Sequence, residues 1–272
     1  MKKNYLILFL LFAFSISSKH TSSAQVFNDL EAARILSLSE NKLIIINFWA
    51  TWCKPCLEME EVLWKNYQYK AVLDEFVVLR VDVDQVSSLS KRFSVRSIPR
   101  VVMISAYGDV IYDQKGFSRA DVYRQYVKVF EEMPKQTNRL NAVIVNLLSK
   151  KDLNDQDYFA LGNEYGRVGR KVQSKRVRRS FLSISNRYLA KGEKNARSEG
   201  VAQMCKTYKL LNDAYMGRYN EVIKKVEQLE KREGEMFHFI LAYCYLRKGE
   251  KEKYKQHVAQ LTNDELKKEL LP

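Results

Sequence analysis

The chain has 272 residues, with 46 Lys and Arg against 32 Asp and Glu, and a formal net charge of +14. This length leaves room for two domains, each large enough to bury a core of its own. Apart from one closely spaced cysteine pair, the cysteines and the three histidines are too scattered to complete a zinc site, so the composition argues against a structural metal.

The first 24 residues have the features of a secretory signal peptide. Lys2 and Lys3 precede an apolar run of about ten to twelve residues, and small residues follow at Ser22–Ala24, where cleavage is expected. A membrane anchor would need about 20 apolar residues, and no cysteine follows the run to carry a lipid. We therefore predict a mature chain that begins near Gln25 and is exported, to the periplasm if the source is a Gram-negative bacterium and otherwise as a secreted protein.

The segment from residue 28 to residue 133 alternates between helical and strand patterns. One strand is a continuous apolar run, as expected for a strand buried on both faces, and Gly108-Asp109 is a hairpin signal between two others. This order indicates a mixed sheet covered by helices on both faces. The predicted helices are Asn28–Ser37, the segment that carries the cysteines, Val86–Phe93 and Arg119–Glu132, and the predicted strands are Leu43–Trp49, Val77–Val83, Val101–Ser105 and Val110–Gln114.

Cys53 and Cys56 directly follow the apolar strand, at the predicted start of a helix. A helix N-terminus carries roughly half a positive charge, which favours a thiolate. Cys53, expected to be the more exposed thiol, is the predicted nucleophile, and Cys56, one turn on, is placed to resolve a mixed disulfide. Pro55 suits the first helical turn, where a missing N–H costs nothing. The alternatives are a structural disulfide and half of a zinc site.

Several motifs around this pair resemble those of the thioredoxin superfamily in order and spacing. They are FWATWCKPC at Phe48–Cys56, DVDQ at Asp82–Gln85, SVRSIPR at Ser94–Arg100, and the later glycines Gly108 and Gly116. The resemblance covers about 105 residues and implies an α/β thioredoxin fold with a mixed central sheet flanked by helices. It also implies a thiol–disulfide oxidoreductase that needs no cofactor beyond its own redox-active disulfide, Cys53–Cys56. Its partners would be protein disulfide or dithiol substrates and an upstream redox partner.

The resemblance assigns further residues to substrate binding and to tuning of the redox pair. Ile98 and Pro99, joined by a cis peptide in this family, would form the docking loop for an extended partner peptide. Trp52 is expected to pack beside the thiols, either as part of the binding surface or as a plain hydrophobic contact. Lys54 would lower the pKa of the nearby thiol, or it is simply a solvated lysine.

Asn47 stands where many thioredoxins carry a buried acid that handles the proton of the resolving thiol. An amide cannot act as a base, so Cys56 must lose its proton to water, to the partner, or to a carboxylate such as Glu58 or Glu60. This departure is typical of exported, reductase-type members of the superfamily.

Residues 135–272 form a different kind of sequence, with amphipathic helical patterns and almost no strand signal. The polar segment 134–139 is the predicted boundary, which divides the chain into a signal peptide at 1–24, a thioredoxin-like domain at 25–134 and an all-α domain at 135–272. Equal spacing within two stretches suggests degenerate helical repeats of the tetratricopeptide kind, and a non-repeat bundle is the alternative. Glycines are expected to separate the helices, at Gly162, Gly166, Gly169, Gly192, Gly217 and Gly249.

The basic charge belongs to this second half. Residues 25–134 hold 14 cationic and 15 acidic side chains, whereas residues 135–272 hold 29 and 17, a net charge of +12. The densest run, Arg167–Arg179, has seven cations. An exported protein rarely meets nucleic acid, so an acidic protein or an anionic membrane surface is the predicted partner, unless the run is only a solvated helix face. Cys205 and Cys244 are either buried free thiols or a disulfide.

Three functions remain open on the sequence alone. The first is an exported thiol–disulfide oxidoreductase that reduces or exchanges protein disulfides, with the helical half choosing the partner. The second is a scaffold or adaptor whose basic helical domain binds a partner protein, with the thioredoxin-like domain as a docking module. The third is a disulfide isomerase or oxidase, which differs from the first only in redox poise.

Overall fold

The computed structural model describes residues 29–148, 150–229 and 234–270 of the chain. The predicted signal peptide at 1–24 lies outside these ranges. Within them, no helix combines the length and the apolar character that crossing a membrane would require.

A four-stranded mixed sheet forms the centre of the first half. The strand order is β2-β1-β3-β4, with β1 parallel to β2 and the other pairs antiparallel. Helices cover the sheet, which confirms the predicted α/β fold class. The elements are α1 (Leu30–Ser39), β1 (Leu43–Trp49), α2 (Lys54–Met59), α3 (Lys70–Leu73), β2 (Phe76–Asp82), α4 (Ser87–Arg92), β3 (Arg100–Ile104), β4 (Val110–Lys115) and α5 (Lys128–Glu132).

Two predicted helices change pitch along their length. The helix that carries the cysteines continues from α2 into a π turn at Glu60–Trp64. The helix predicted at 119–132 is instead a 3₁₀ turn at Arg119–Asp121, a π turn at Tyr123–Val127 and then α5. A π turn displaces the apolar pattern by a single residue, so the sequence periodicity does not reveal it.

The described residues of the second half contain helices and no strand, as predicted. Helix α7 begins with a reciprocal capping box between Asn154 and Asp157. The helices are α6 (Pro134–Leu148), α7 (Asp155–Lys171), α8 (Lys175–Lys194), α9 (Glu199–Tyr215), α10 (Tyr219–Glu227), α11 (Glu235–Lys248), α12 (Lys251–Val258) and α13 (Asp264–Glu269).

The polar segment 134–139, the predicted boundary, is helical, because it forms the first turns of α6. Proline is favourable at the first position of a helix, so Pro134 begins α6 rather than breaking the chain. Leu140 and Ile144 then enter one hydrophobic cluster that contains both sheet residues, such as Val101, and residues of α7 and α8. The two halves therefore share a core across the predicted boundary.

A buried polar cluster also joins the halves. The carboxylate of Asp109, before β4, is 8% exposed and accepts hydrogen bonds from the hydroxyls of Tyr165 (2.6 Å) and Tyr188 (2.8 Å). Arg187 forms an ion pair with the same carboxylate. Burial, with the Asp109 charge as a further cause, raises the pKa of Tyr165 well above its ordinary value. This phenol therefore stays protonated and acts as a hydrogen-bond donor.

Four of the glycines predicted to separate helices lie inside helices instead. Gly162, Gly166 and Gly169 are in α7 and Gly192 is in α8, where the missing side chains let neighbouring helices approach closely. Gly169 faces Phe181 and Leu182, whereas Gly249, its proposed equivalent in the repeat, ends α11 in the left-handed conformation. The glycine spacing that suggested a repeat thus reflects two different structural roles, and the repeat stays a prediction.

We expect Gly162→Ala to lower the free energy of unfolding by roughly 1–3 kcal/mol. A Cβ atom there would lie 2.6 Å from Leu189 Cγ and 3.1 Å from the Leu189 backbone nitrogen, so α7 and α8 would have to separate. Urea unfolding measures the loss. Gly200→Ala in α9 is the matched control, since a Cβ atom at that position would have no neighbour within 4 Å, and its stability should stay unchanged or rise by up to about 1 kcal/mol. Equal stability of the two variants would contradict the close packing of α7 on α8.

Candidate active site

Cys53 and Cys56 form a disulfide at the start of α2. Their Sγ atoms are 2.04 Å apart and their Cα atoms 5.2 Å apart. Cys53 is the N-cap residue of the helix, and its Sγ accepts a hydrogen bond of 3.3 Å from the Cys56 backbone N–H. Because a thiolate gains from such a donor and from the helix dipole, the geometry favours Cys53 as the thiol that ionises after reduction.

The two cysteines are equally hidden in the disulfide form. Cys53 is 3% exposed and Cys56 is 5% exposed, so the expectation that Cys53 would be the more exposed thiol is wrong for this state. Ala50 shares their small cluster, and Trp49, Val83 and Ile98 pack against it. What distinguishes Cys53 is its place at the helix cap rather than its accessibility.

The loop before β3 lies against the redox pair. The Ile98–Pro99 peptide bond is cis, as the family resemblance implies, and the half-buried Ile98 packs against the cysteines. The loop is anchored by a hydrogen bond of 2.8 Å from Gly116 N–H to the Pro99 carbonyl. Ile98 and Pro99 therefore lie beside the redox pair, the position that a docking loop for a partner peptide requires.

Arg100, directly after this loop, is a supporting residue. Its guanidinium forms a two-pronged ion pair with Asp113, both contacts at 2.8 Å, and also donates to the Phe93 carbonyl at 2.6 Å. It thereby ties the loop to β4 and to the end of α4. The pairing partner on β4 becomes recognisable only when the strand register is known.

Trp52 lies at the surface rather than among the residues that pack against the thiols, so the plain hydrophobic contact is wrong and its place in the binding surface stays a prediction. Its side chain is 67% exposed, and its indole N–H donates to Asp84 at 2.8 Å. The tryptophan that packs against the cysteines is Trp49, at the end of β1. Because the chain turns sharply after Ala50, Trp52 is carried to the surface beside the pair, where it can meet a partner.

Lys54 and Pro55 occupy the first turn of α2. Lys54 is exposed, and no carboxylate in the described ranges forms an ion pair with it. Both interpretations of Lys54, a tuning cation and a solvated lysine, therefore stay open. Pro55 fits the turn that the sequence predicts for it.

The buried polar group next to the redox helix is not a single acid but a set of three residues. Asn47 in β1 is 3% exposed, its Oδ1 has no hydrogen-bond partner, and it lies opposite Arg80 in the register of β1 with β2. Arg80 pairs with Glu60, with Nη2 and Oε2 separated by 2.6 Å, and its guanidinium lies 4.8 Å from the centre of the Trp49 ring. A carboxylate and a guanidinium are thus present close to the neutral Asn47.

Glu58 and Glu60 differ sharply in their surroundings. The Glu60 side chain is 13% exposed, whereas the Glu58 side chain is 46% exposed. Glu58 contacts Arg119 at 3.3 Å. Glu60 also lies one helical turn beyond Cys56, and its backbone N–H donates to the Cys56 carbonyl. Of the two carboxylates that the sequence offers as proton acceptors, Glu60 is therefore the better placed.

Cys205 and Cys244 are buried free thiols, so the alternative of a disulfide between them is wrong. Burial raises the pKa of Cys244 to about 12 and is also the main cause of the raised pKa of Cys205. Neither thiol is suited to redox chemistry. In the same part of the chain that the structure describes, no group of three or more His, Cys, Asp and Glu side chains is arranged to hold a metal ion.

Comparison with known proteins gives matches to part of the chain. The family model named Thioredoxin matches residues 25–129. Thioredoxin-1 of Drosophila melanogaster is 38% identical over 86 residues, which is 30% of this chain and 74% of that protein. The thiol:disulfide interchange protein DsbD of Photorhabdus laumondii is 26% identical over 110 residues, 38% of this chain and 19% of that protein. Among solved structures, the Drosophila thioredoxin Deadhead is 28% identical and covers 39% of this chain and 98% of its own, with a TM-score of 0.33.

Proposed function

The chain belongs to the thioredoxin family, whose members are thiol–disulfide oxidoreductases, and on this premise we propose that it is an exported enzyme that reduces or exchanges the disulfides of other proteins. The observation that carries the proposal is the Cys53–Cys56 disulfide, capped at a helix start and packed against the cis Ile98–Pro99 loop.

The reaction begins with the reduced pair. The Cys53 thiolate attacks one sulfur of the partner disulfide, that S–S bond breaks, and the released partner sulfur takes up a proton. Cys56 then loses its proton and attacks the Cys53 sulfur, which frees the second partner thiolate and leaves the Cys53–Cys56 disulfide. Two electrons have passed to the partner, so an upstream dithiol must reduce the pair before the next cycle. The Ile98–Pro99 loop aligns the extended partner segment.

Glu60 is the proposed acceptor of the Cys56 proton. Asn47 has no basic atom. The Glu58 side chain is 46% exposed and only two residues beyond Cys56, whereas the Glu60 side chain is 13% exposed and lies one helical turn beyond Cys56. Arg80 holds the Glu60 carboxylate in place. In this proposal, Glu60 on the cysteine-bearing helix takes the role of the buried acid that many relatives carry at the position of Asn47.

Glu60→Gln should slow the second step about 10- to 100-fold, because the resolving thiol loses its general base. The measurement is the decay of a preformed mixed disulfide between Cys53 and a fluorescent peptide thiol. Stopped-flow fluorescence monitors the release of the peptide at several pH values. We expect the loss to shrink as pH rises and Cys56 ionises without help. Glu58→Gln is the control, with little change, and equal rates for the two variants would exclude Glu60 from this step.

Export is supported by the charged, apolar and small-residue segments of residues 1–24. Sequencing of the N-terminus of the protein recovered from outside the cytoplasm tests it, with a start near Gln25 expected. A cytoplasmic protein that keeps Met1 would contradict export.

The direction of electron flow depends on the reduction potential of the Cys53–Cys56 pair. The name of the DsbD relative, a thiol:disulfide interchange protein, supports exchange between proteins. Equilibration of the pair with a glutathione redox buffer measures the potential, where 30 mV corresponds to about 1.4 kcal/mol. A potential near that of thioredoxins supports a reductase, and a much more oxidising value supports the isomerase or oxidase alternative.

The helical half is proposed to choose or hold the partner. Its net charge of +12 supports an acidic protein or an anionic membrane surface rather than nucleic acid, which an exported chain rarely meets. The same charge favours the second candidate function, an adaptor whose docking module is the thioredoxin-like half. A variant without Cys53 separates the two candidates. An adaptor would still bind its partner and carry out its function, whereas an oxidoreductase would no longer reduce or exchange the partner's disulfide.

A further inference from the structure

The basic run Arg167–Arg179 does not form a uniform solvated face. Arg170 turns inward, where it donates to Asn212 Oδ1 at 3.0 Å. Arg176 binds the Asp113 carbonyl and Gln114 of β4 and lies over the Tyr112 ring. Arg167 pairs with Glu164. Arg170 thus joins α7 to α9, Arg176 joins α8 to the sheet, and Arg167 is paired within α7, which leaves a smaller group of cations for binding.

Three of the remaining cations line one cavity. Lys175, Arg178 and Arg179 have the i, i+3, i+4 spacing that places side chains on one face of α8. This face borders a cavity of about 290 Å³, whose other wall is the turn from α9 to α10. The residues from that turn are Tyr215, Met216, Gly217 and Tyr219.

No acidic residue lines this cavity. Within the described ranges, no carboxylate forms an ion pair with Lys175, Arg178 or Arg179. Of the nearby acids, Asp213 is held by Arg218 at 3.0 Å and by Asn186 at 3.1 Å. Glu132 accepts hydrogen bonds from the backbone before α8. Burial and then the charge of Glu269 raise the pKa of Tyr215, so one carboxylate lies near the tyrosine wall. Within the described ranges, however, none of these acids forms an ion pair with the three cations of the cavity.

The tyrosine wall of the cavity is well supported. The Tyr215 ring stacks on Tyr243 with centroids 4.2 Å apart, and Tyr219 meets Tyr243 edge-on at 6.4 Å. The Arg178 Nε donates to the Val172 carbonyl at 3.0 Å, which fixes the guanidinium at the cavity edge. The site thus combines three cations, of which Arg178 is held in place, with an aromatic surface.

We propose that this cavity binds the phosphate group of a phosphate ester. A phosphate carries up to two negative charges and accepts paired hydrogen bonds from guanidinium groups, which matches two arginines and a lysine better than a single carboxylate would. The tyrosine rings and Met216 would contact the organic part of the ester. The ester is either a soluble molecule or the head group of an anionic phospholipid. This inference deepens the proposed role of the basic half and rests on that role.

Isothermal titration calorimetry of the full chain at low ionic strength tests the site, with inorganic phosphate and with glycerol 3-phosphate as probes. The variant Lys175→Gln/Arg179→Gln should weaken both affinities at least roughly tenfold, because two charged donors are lost. Lys194→Gln/Lys206→Gln removes the same charge from exposed positions outside the cavity. Its affinity should stay within about twofold of the unchanged chain, since remote exposed charges are screened.

Co-sedimentation with vesicles separates the two sources. Retention on phosphatidylglycerol–phosphatidylcholine vesicles, absent from pure phosphatidylcholine and lost in Lys175→Gln/Arg179→Gln, identifies a lipid head group. Binding of glycerol 3-phosphate without vesicle retention identifies a soluble ester. The proposal is overturned if no probe binds, if both double variants lose affinity equally, or if only an acidic peptide binds. All titrations use the Cys53–Cys56 disulfide form, so a failure of the redox function leaves their outcome unaffected.

Discussion

Replacing Cys53 with Ser should lower the rate of protein disulfide reduction at least about a thousandfold, because a hydroxyl is almost never ionised and is a poor nucleophile toward sulfur. The helix cap and the N–H of Cys56 stabilise a thiolate at this position, and they cannot compensate for a serine. The measurement is the turnover of a model protein disulfide by the full chain, with a chemical dithiol supplying electrons.

Cys205→Ser is the matched control for this substitution. Cys205 is also buried, but it is a free thiol in the helical half. Its folded variant should keep the turnover of the unchanged protein, and circular dichroism checks that both variants fold. Appreciable turnover by folded Cys53→Ser would contradict the assignment of the nucleophile.

Asp109→Ala should lower the free energy of unfolding by about 3 kcal/mol, because the variant leaves buried donors without an acceptor. Tyr188 would lose its acceptor, Tyr165 would keep only Ser105 Oγ at 2.9 Å, and Arg187 would lose its ion pair. Urea unfolding followed by circular dichroism measures the change.

The control for this prediction is Asp121→Ala. Asp121 pairs with Arg124 at the surface, where the two side chains are 38% and 77% exposed, so its loss should cost about 0.5 kcal/mol or less. If Asp109→Ala costs no more than this control, the polar cluster does not hold the halves together. Unfolding in two separate transitions in the unchanged protein would equally contradict a shared core.

The sequence was sufficient for the elements that depend on local pattern. The apolar run of β1 predicts Leu43–Trp49, the bounds the structure has, because a strand buried on both faces is apolar throughout. The cysteine pair at a helix start and the Ile98–Pro99 loop were likewise recognisable, since their motifs are short and contiguous. The structure brings these residues together as the motif order implies.

The features that the sequence could not supply depend on contacts between distant residues. Asp109 looks like an ordinary hairpin residue until α7 and α8 place two tyrosines and an arginine against it. The sequence offers Trp52 as a contact of the thiols, whereas the turn after β1 carries it outward and Trp49 makes that contact. Polar composition marks residues 134–139 as a domain boundary, and it does not reveal that Pro134 begins a helix there.

The basic run shows the same limit for charge. A count of cations predicts a solvated face or a binding surface, but it cannot distinguish Arg176, which binds β4, from Arg179, which lines the cavity of α8. Only the packing of α8 against the sheet and against α9 separates the structural cations from those left to meet an anion.

The central claim is that Cys53 attacks the disulfides of exported partner proteins and that Cys56 releases them. Its most direct test is Cys56→Ala in the full chain, expressed in its native host, with alkylation of free thiols and mass spectrometry of the disulfide-linked peptides. We predict mixed disulfides that join Cys53 to partner cysteines in the exported fraction and that disappear in Cys53→Ala/Cys56→Ala. The absence of any partner linked to Cys53, or capture that persists without Cys53, would contradict the claim.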